Sequence, residues 1–166
     1  QVGGRDFVMD QTEQGGAFRI LKLIDEHTRQ CLATHVAWSI RAQDVLRVLQ
    51  QAMRAHGTPA HIRSDNGPEF VAHAIQDWLA EKQIKTLYIK PGSPWENGHI
   101  ESFHDKLRDE CLSLEWFRSR AEAKVVIETW RRHYNAVRPH SSLDYLTPLE
   151  FKQQHQPISY RAVFQE

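Results

Sequence analysis

The sequence predicts an α/β domain, a five-stranded mixed sheet with helices on both faces. Three observations carry this. Short, β-rich, largely apolar stretches separated by tight turns fill the first part of the chain. From Ala42 onward the apolar spacing becomes helical, then alternates between strand and helix. The resulting order, β-β-β-α-β-α-β-α-α, combines a three-strand antiparallel meander with two parallel strands joined by helical crossovers.

The first strand is expected over Asp6–Asp10, with Gln14-Gly15-Gly16 as the hairpin turn. Ala17–Asp25 is apolar on both faces, as a central strand covered on both sides should be. After a polar turn at Glu26–Arg29, Cys31–Trp38 forms the third strand, with Leu32, Thr34, Val36 and Trp38 on one face. Ala42, Val45, Leu49, Ala52 and Met53 then mark a helix that Gly57-Thr58-Pro59 ends. Ala60–Ser64 is a short strand. Asn66, Pro68 and Glu69 have the form of a helix start, with Phe70, Ile75, Trp78 and Leu79 as its apolar side. Ile84–Ile89 is the fifth strand, and Lys90–Gly98 a loop with two prolines. Ile100, Phe103, Leu107, Cys111 and Leu114 make one helical stripe; Ala123, Ile127, Trp130, Tyr134 and Val137 make another, behind a capping box at Ser119–Glu122. Thr147-Pro148-Leu149-Glu150 opens a last short helix. Residues 1–155 thus form one domain, and 156–166 a tail with no assigned element.

Composition narrows the class. Lys plus Arg and Asp plus Glu each number 21, which argues against a purely basic nucleic-acid-binding module. An enzyme that meets DNA through divalent metals and local basic patches remains compatible. No apolar run reaches the roughly 20 residues of a membrane span, and no secretory signal is evident. Cys31 and Cys111 read as reduced thiols of a cytoplasmic protein, and no Cys/His spacing suggests zinc.

The informative residues are acidic. Asp6 sits in the first strand and Asp65 ends the fourth. If those strands are neighbours, their carboxylates converge, and two like charges at close range call for a cation between them. Carboxylates are hard oxygen ligands suited to Mg²⁺ or Mn²⁺. Glu101 is the third candidate, one turn into the helix after the loop, with thirty-five residues between it and Asp65. It should sit where core meets cleft. Asp10, then Asp25, compete with Asp6, and Glu96 competes with Glu101. Arg108 follows Glu101 by two turns on the same side, where it suits a polyanionic substrate or pairs with Asp105 or Glu101.

DFVMD, RSDNGPEF, SPWENGHIESFHDKLRDECL and YNAVRPHSSLDYLTPLEF together resemble the catalytic core of bacterial insertion-sequence transposases, which have a retroviral-integrase-like Asp-Asp-Glu centre. The element order likewise resembles the ribonuclease H-like fold. The resemblance runs from about Asp6 to Phe151. It implies that Asp6, Asp65 and Glu101 hold two Mg²⁺ or Mn²⁺ ions, and that the reaction is 3′-end nicking of DNA by water followed by strand transfer from the freed 3′-hydroxyl. It also implies a homo-oligomer on paired DNA ends. Arg108, Lys106 and Asn66 are candidate DNA contacts. Three departures stand out: Gly3 replaces the family's usual Trp, Asp105 stands where retroviral relatives have a DNA-contacting Lys, and the family's upstream helix-turn-helix region is expected to be absent. A nuclease without strand transfer, or a catalytically silent binding module of the same fold, are the alternatives.

Overall fold

The computed structural model describes residues 9–11, 17–64, 72–88, 98–114, 117–155 and 161–165. At its centre is β2 (Ala17–Asp25), whose alternation feeds two cores. Phe18, Ile20 and Ile24 join one apolar cluster, and Leu21 and Leu23 join the other. A strand apolar on both faces must be covered on both faces, and the helices divide accordingly. Helices α1 (Ala42–His56) and α2 (His73–Glu81) supply Val45, Val48, Leu49, Ile75 and Leu79 on the Leu21 side. Helices α3 (Gly98–Glu110) and α4 (Arg120–Ala136) supply Phe103, Leu107, Ile127, Trp130 and Tyr134 on the Phe18 side.

Among the described residues the sheet has six strands, where the sequence predicts five. Strand β3 (Cys31–Ala37) pairs antiparallel with β2 from Arg19 to Ile24. Strand β1 (Met9–Gln11) pairs with Ala17–Arg19, and β6 (Arg161–Gln165) with Lys22–Asp25, so these two share the opposite edge of β2. Strand β4 (His61–Ser64) lies parallel to both β6 and β5 (Lys85–Tyr88). The added strand comes from the tail that showed no pattern in sequence. Among the described residues, it is β6 that stands between β2 and β4. Residues 1–8, with Asp6, and 65–71, with Asp65 and Asn66, lie outside the described residues.

Several local expectations are met for the reasons given. Gly57 ends α1 at φ 86°; a Cβ there would touch nothing within 4 Å, so the dihedral and not crowding selects glycine. The Ser119 hydroxyl accepts from the Glu122 amide, and Thr147 and Glu150 cap one another with Pro148 in the first turn.

Others are corrected. Leu23 pairs with Ala33 but Ile24 with Cys31, so Leu32 is the extra residue of a β-bulge. The bulge shifts the alternation: Leu32 packs in the α1/α2 core while Val36 packs in the α3/α4 core, not on one common face. Trp38 lies beyond the strand, 49% exposed, with the Arg120 guanidinium over its ring. Val137 is exposed because α4 ends at Ala136. The helix start read at Asn66–Glu69 lies outside the described residues, and the helix with Ile75, Trp78 and Leu79 is described from His73.

Candidate active site

Glu101 stands in the first turn of α3, exposed to solvent rather than at the border of core and cleft that its place beside the apolar stripe predicts, and no described residue holds it by a hydrogen bond or ion pair. Its helix is anchored from below. Phe103 and Leu107 are buried against β2 and α4, and His104, one turn after Glu101, is buried beside Lys22 of β2. The Lys22 ammonium donates to Nδ1 of His104 at 2.7 Å. Nδ1 must then be the lone-pair nitrogen, which leaves the ring hydrogen on Nε2. A fully buried lysine in the middle of an apolar strand is costly unless polar groups receive it. Sequence reading missed this pair. The one available signal was Lys22 among the apolar residues Ile20, Leu21, Leu23 and Ile24.

Ser64, buried, ends the parallel strand β4, and Asp65 lies outside the described residues. Asp25, at the end of β2, is engaged in its own turn: its carboxylate accepts from the His27 amide at 2.9 Å and the Thr28 hydroxyl at 2.8 Å. That use is structural. The side chains of Asp10 and Glu96 lie outside the described residues. Among the described residues no three His, Cys, Asp or Glu side chains are grouped to hold a metal.

The cations around α3 fall on different sides. Arg108 pairs with Asp105 at 3.4 Å and with Asp109 at 3.0 Å, on the side of Glu101. Lys106 lies about 140° round the helix from Glu101 at roughly 100° per residue. On that other flank Arg138 forks onto Glu110, with both carboxylate oxygens engaged at 2.6–3.0 Å.

This explains what the YNAVRPH stretch does. Tyr134 is buried edge-on to Phe103 of α3, with ring centroids 4.9 Å apart. Asn135 Oδ1 accepts from the Cys31 amide at 2.8 Å, and its Nδ2 donates to the Cys31 carbonyl at 2.9 Å. Arg131 donates to the same carbonyl at 2.9 Å. His140 packs on Tyr134 at 4.5 Å, and burial lowers its pKa to about 4, so it is neutral. The stretch therefore joins α4 to the β3 bulge and to α3, the helix that carries Glu101. Burial likewise pushes the Cys31 thiol up to about 12 and raises the Tyr134 phenol.

A family model described as the integrase core domain matches residues 4–94, and a second of the same description matches residues 82–148. The chain belongs to the integrase core domain family. A protein of insertion element IS407 from Burkholderia multivorans is 40% identical over all of this chain and 60% of its own length. One from insertion element IS476 of Xanthomonas euvesicatoria is 42% identical over 88% of this chain and 42% of its own. A transposase for IS904 from Lactococcus lactis is 32% identical over 70% of this chain and 49% of its own. The chain thus spans about half the length of these relatives. Among solved structures, the catalytic core of HTLV-2 integrase in complex with magnesium matches with a TM-score of 0.58 at 18% identity over 86% of this chain and 89% of that one. The catalytic core of BIV integrase matches at 0.64 and 19% over 88% and 90%. These show the α/β fold of integrase cores. Among the described residues no helix is long and apolar enough to cross a membrane.

Proposed function

We propose that this integrase core is the catalytic part of a DNA transposase, with Asp6, Asp65 and Glu101 as its metal-binding and catalytic carboxylates. The observation that carries the reading is Glu101 itself. It is a carboxylate exposed and unengaged by any described residue, on the first turn of a helix whose underside is fixed. An unengaged hard oxygen donor fits Mg²⁺ or Mn²⁺; a carboxylate already spent on its own turn, as Asp25 is, does not. Two such ions, when bound, supply charge stabilisation for the attacking and leaving oxygens of a phosphodiester. The chain's own groups do the rest. Asp6, Asp65 and Glu101 hold the site. The Lys22–His104 contact keeps the Glu101 turn in place. Arg108, Lys106 and Asn66 contact the DNA backbone. The reaction is 3′-end nicking by water followed by strand transfer from the 3′-hydroxyl, carried out by a homo-oligomer on paired transposon ends in the cytoplasm.

The test is end cleavage and joining by the full-length protein with Mg²⁺. Replacing Asp65→Asn or Glu101→Gln should abolish both steps; undiminished activity refutes the assignment. Efficient cutting without joining of a pre-cut 3′-end would point instead to a nuclease. Calorimetry with Mn²⁺ on the present chain separates the third reading, since a silent module has no Mn²⁺ site that Asp65→Asn removes.

A further inference from the structure

Strand β3 lies at an edge: among the described residues it pairs only with β2. The pairing fixes which of its peptide groups face outward. Asp25 of β2 turns both backbone groups toward the β3 side, since its amide donates to the Gln30 carbonyl and its carbonyl accepts from the Arg29 amide, both at 2.9 Å. Backbone groups alternate along a strand, so Leu23, Leu21 and Arg19 also face β3 and bond to Ala33, His35 and Ala37 opposite them. The amides and carbonyls of Thr34 and Val36 therefore point away from β2, and no described residue meets them. Cys31 shows the same edge when it is filled. The Asn135 carboxamide pairs with its amide and carbonyl at 2.8 and 2.9 Å, as a peptide group of a neighbouring strand would.

Thr34 and Val36 open onto a groove of about 490 Å³ whose other wall is α4. That wall presents Val125, 66% exposed, with Lys124, Glu128 and Arg132 around it. Its charges do not cancel. Glu128 is held by Arg131 at 2.6 and 2.9 Å. Arg132 reaches Glu128 only at 3.4 Å, and its side chain is 77% exposed. Lys124 has no hydrogen bond or ion pair to any described residue. Glu122 lies about 200° round the helix from Lys124. On the α1 side Arg47 pairs with Asp44 at 2.8 Å, and Arg120 lies over the Trp38 ring. Lys124 and Arg132 thus remain for an acid from outside.

A second copy of the chain does not fit this edge. Strands pair about 4.8 Å apart, whereas packed helices need about 8–10 Å, and a second β3 brings its own α1 and α4, which both pack on it. The DNA backbone can accept from the amides of Thr34 and Val36 but cannot donate to their carbonyls. A single extended peptide does both. We propose that the open edge of β3, beside α4, takes an extended acidic segment of a partner protein as an added strand. Main-chain bonds to Thr34 and Val36 hold the segment, and its carboxylates meet Lys124 and Arg132. Docking there does not require the chemistry proposed for Glu101.

The test is amide hydrogen exchange of the isotope-labelled chain, read by NMR with and without a short acetylated peptide that alternates glutamate with valine. In the free chain the Thr34 and Val36 amides should exchange about tenfold faster or more than those of His35 and Ala37. Equal protection would mean that the edge is already covered, by a second copy if it grows with protein concentration, and overturns the open site. At saturation the peptide should slow Thr34 and Val36 by about tenfold or more, and a peptide alternating lysine with valine should not. Thr34→Pro removes one outward amide without touching a bond to β2, and should weaken binding of the glutamate peptide. Lys124→Glu, an exposed change that leaves the fold intact, should weaken it about fivefold and strengthen binding of the lysine peptide. No protection by the glutamate peptide, equal binding of both peptides or indifference to Lys124→Glu overturns the acidic partner. The same protection from a random-sequence DNA duplex overturns it too, in favour of nucleic acid.

Discussion

Replacing Asn135 by alanine probes how α4 is keyed to the sheet. In the folded chain Asn135 is 5% exposed and satisfies both backbone groups of Cys31, a residue at the bulge of β3. Alanine leaves the buried Cys31 amide without an acceptor, which costs about 1–3 kcal/mol. It also removes the bond to the Cys31 carbonyl, worth about 1 kcal/mol net, though Arg131 continues to donate there. The sum is about 2–4 kcal/mol, a large share of the roughly 5–15 kcal/mol that holds a domain together. Urea unfolding followed by far-UV circular dichroism should show a lower midpoint with an unchanged slope. The melting temperature should fall by about 4–16 °C, at about 2–4 °C per kcal/mol for a domain of this size. Asn135→Asp, which keeps the acceptor for the amide, should lose less than alanine does. A loss below about 1 kcal/mol for alanine would mean that the Cys31 amide finds water, and that the α4–β3 key is not what holds the two elements.

Further outcomes follow from the same contacts. The unfolded His140 imidazole takes up its proton near pH 6.5, whereas in the fold burial delays this to about pH 4. Between those values the unfolded state binds more protons, so this contribution is complete above pH 6.5 and is lost as pH falls, by about 3 kcal/mol at the limit. Chemical denaturation across that range should show the decline, and His140→Gln should flatten it; an equal decline in the variant would remove His140 as its source. Cys31 and Cys111 are both buried and not joined in a disulfide, and burial holds the Cys31 thiol up at about 12. Ellman's reagent at pH 8 should therefore find two thiols only after unfolding, and prompt reaction in the native state would contradict their burial. Lys22→Met keeps the length of the side chain but removes its donor to His104. If the pair positions the Glu101 turn, strand transfer by the full-length protein should fall about tenfold or more while the melting temperature changes little or rises; full activity would leave the pair a packing detail.

Much of the fold was legible because local patterns are sufficient for it. AFRILKLID reads as a doubly covered strand, Gly57 as a helix stop, and Thr147-Pro148-Leu149-Glu150 as a capped start; each depends on residues within a few positions of one another. The buried stripe of Trp130 and Tyr134 followed from helical spacing in the same way. Of the candidate site, Glu101 could be named from its spacing to Asp65 together with the resemblance to transposase cores. Its exposure and the anchoring of its helix could not. Nor could the pairing of Arg138 with Glu110, because Glu110 lies on another helix.

By itself, then, the amino-acid order determined which stretches become strands and helices, and which acidic residues are candidates for chemistry. Tertiary structure decided the rest. It inserted Leu32 as a bulge that splits β3 between two cores, and it brought β6 from the tail to a place between β2 and β4. It also set Lys22 against His104, 82 residues away, and Asn135 against Cys31, 104 residues away. Periodicity is a property of neighbours along the chain, so one sequence displays it openly. Pairings between distant segments depend on which packing of the whole chain buries the most apolar surface while leaving the fewest polar groups unmet, and no local window contains that comparison.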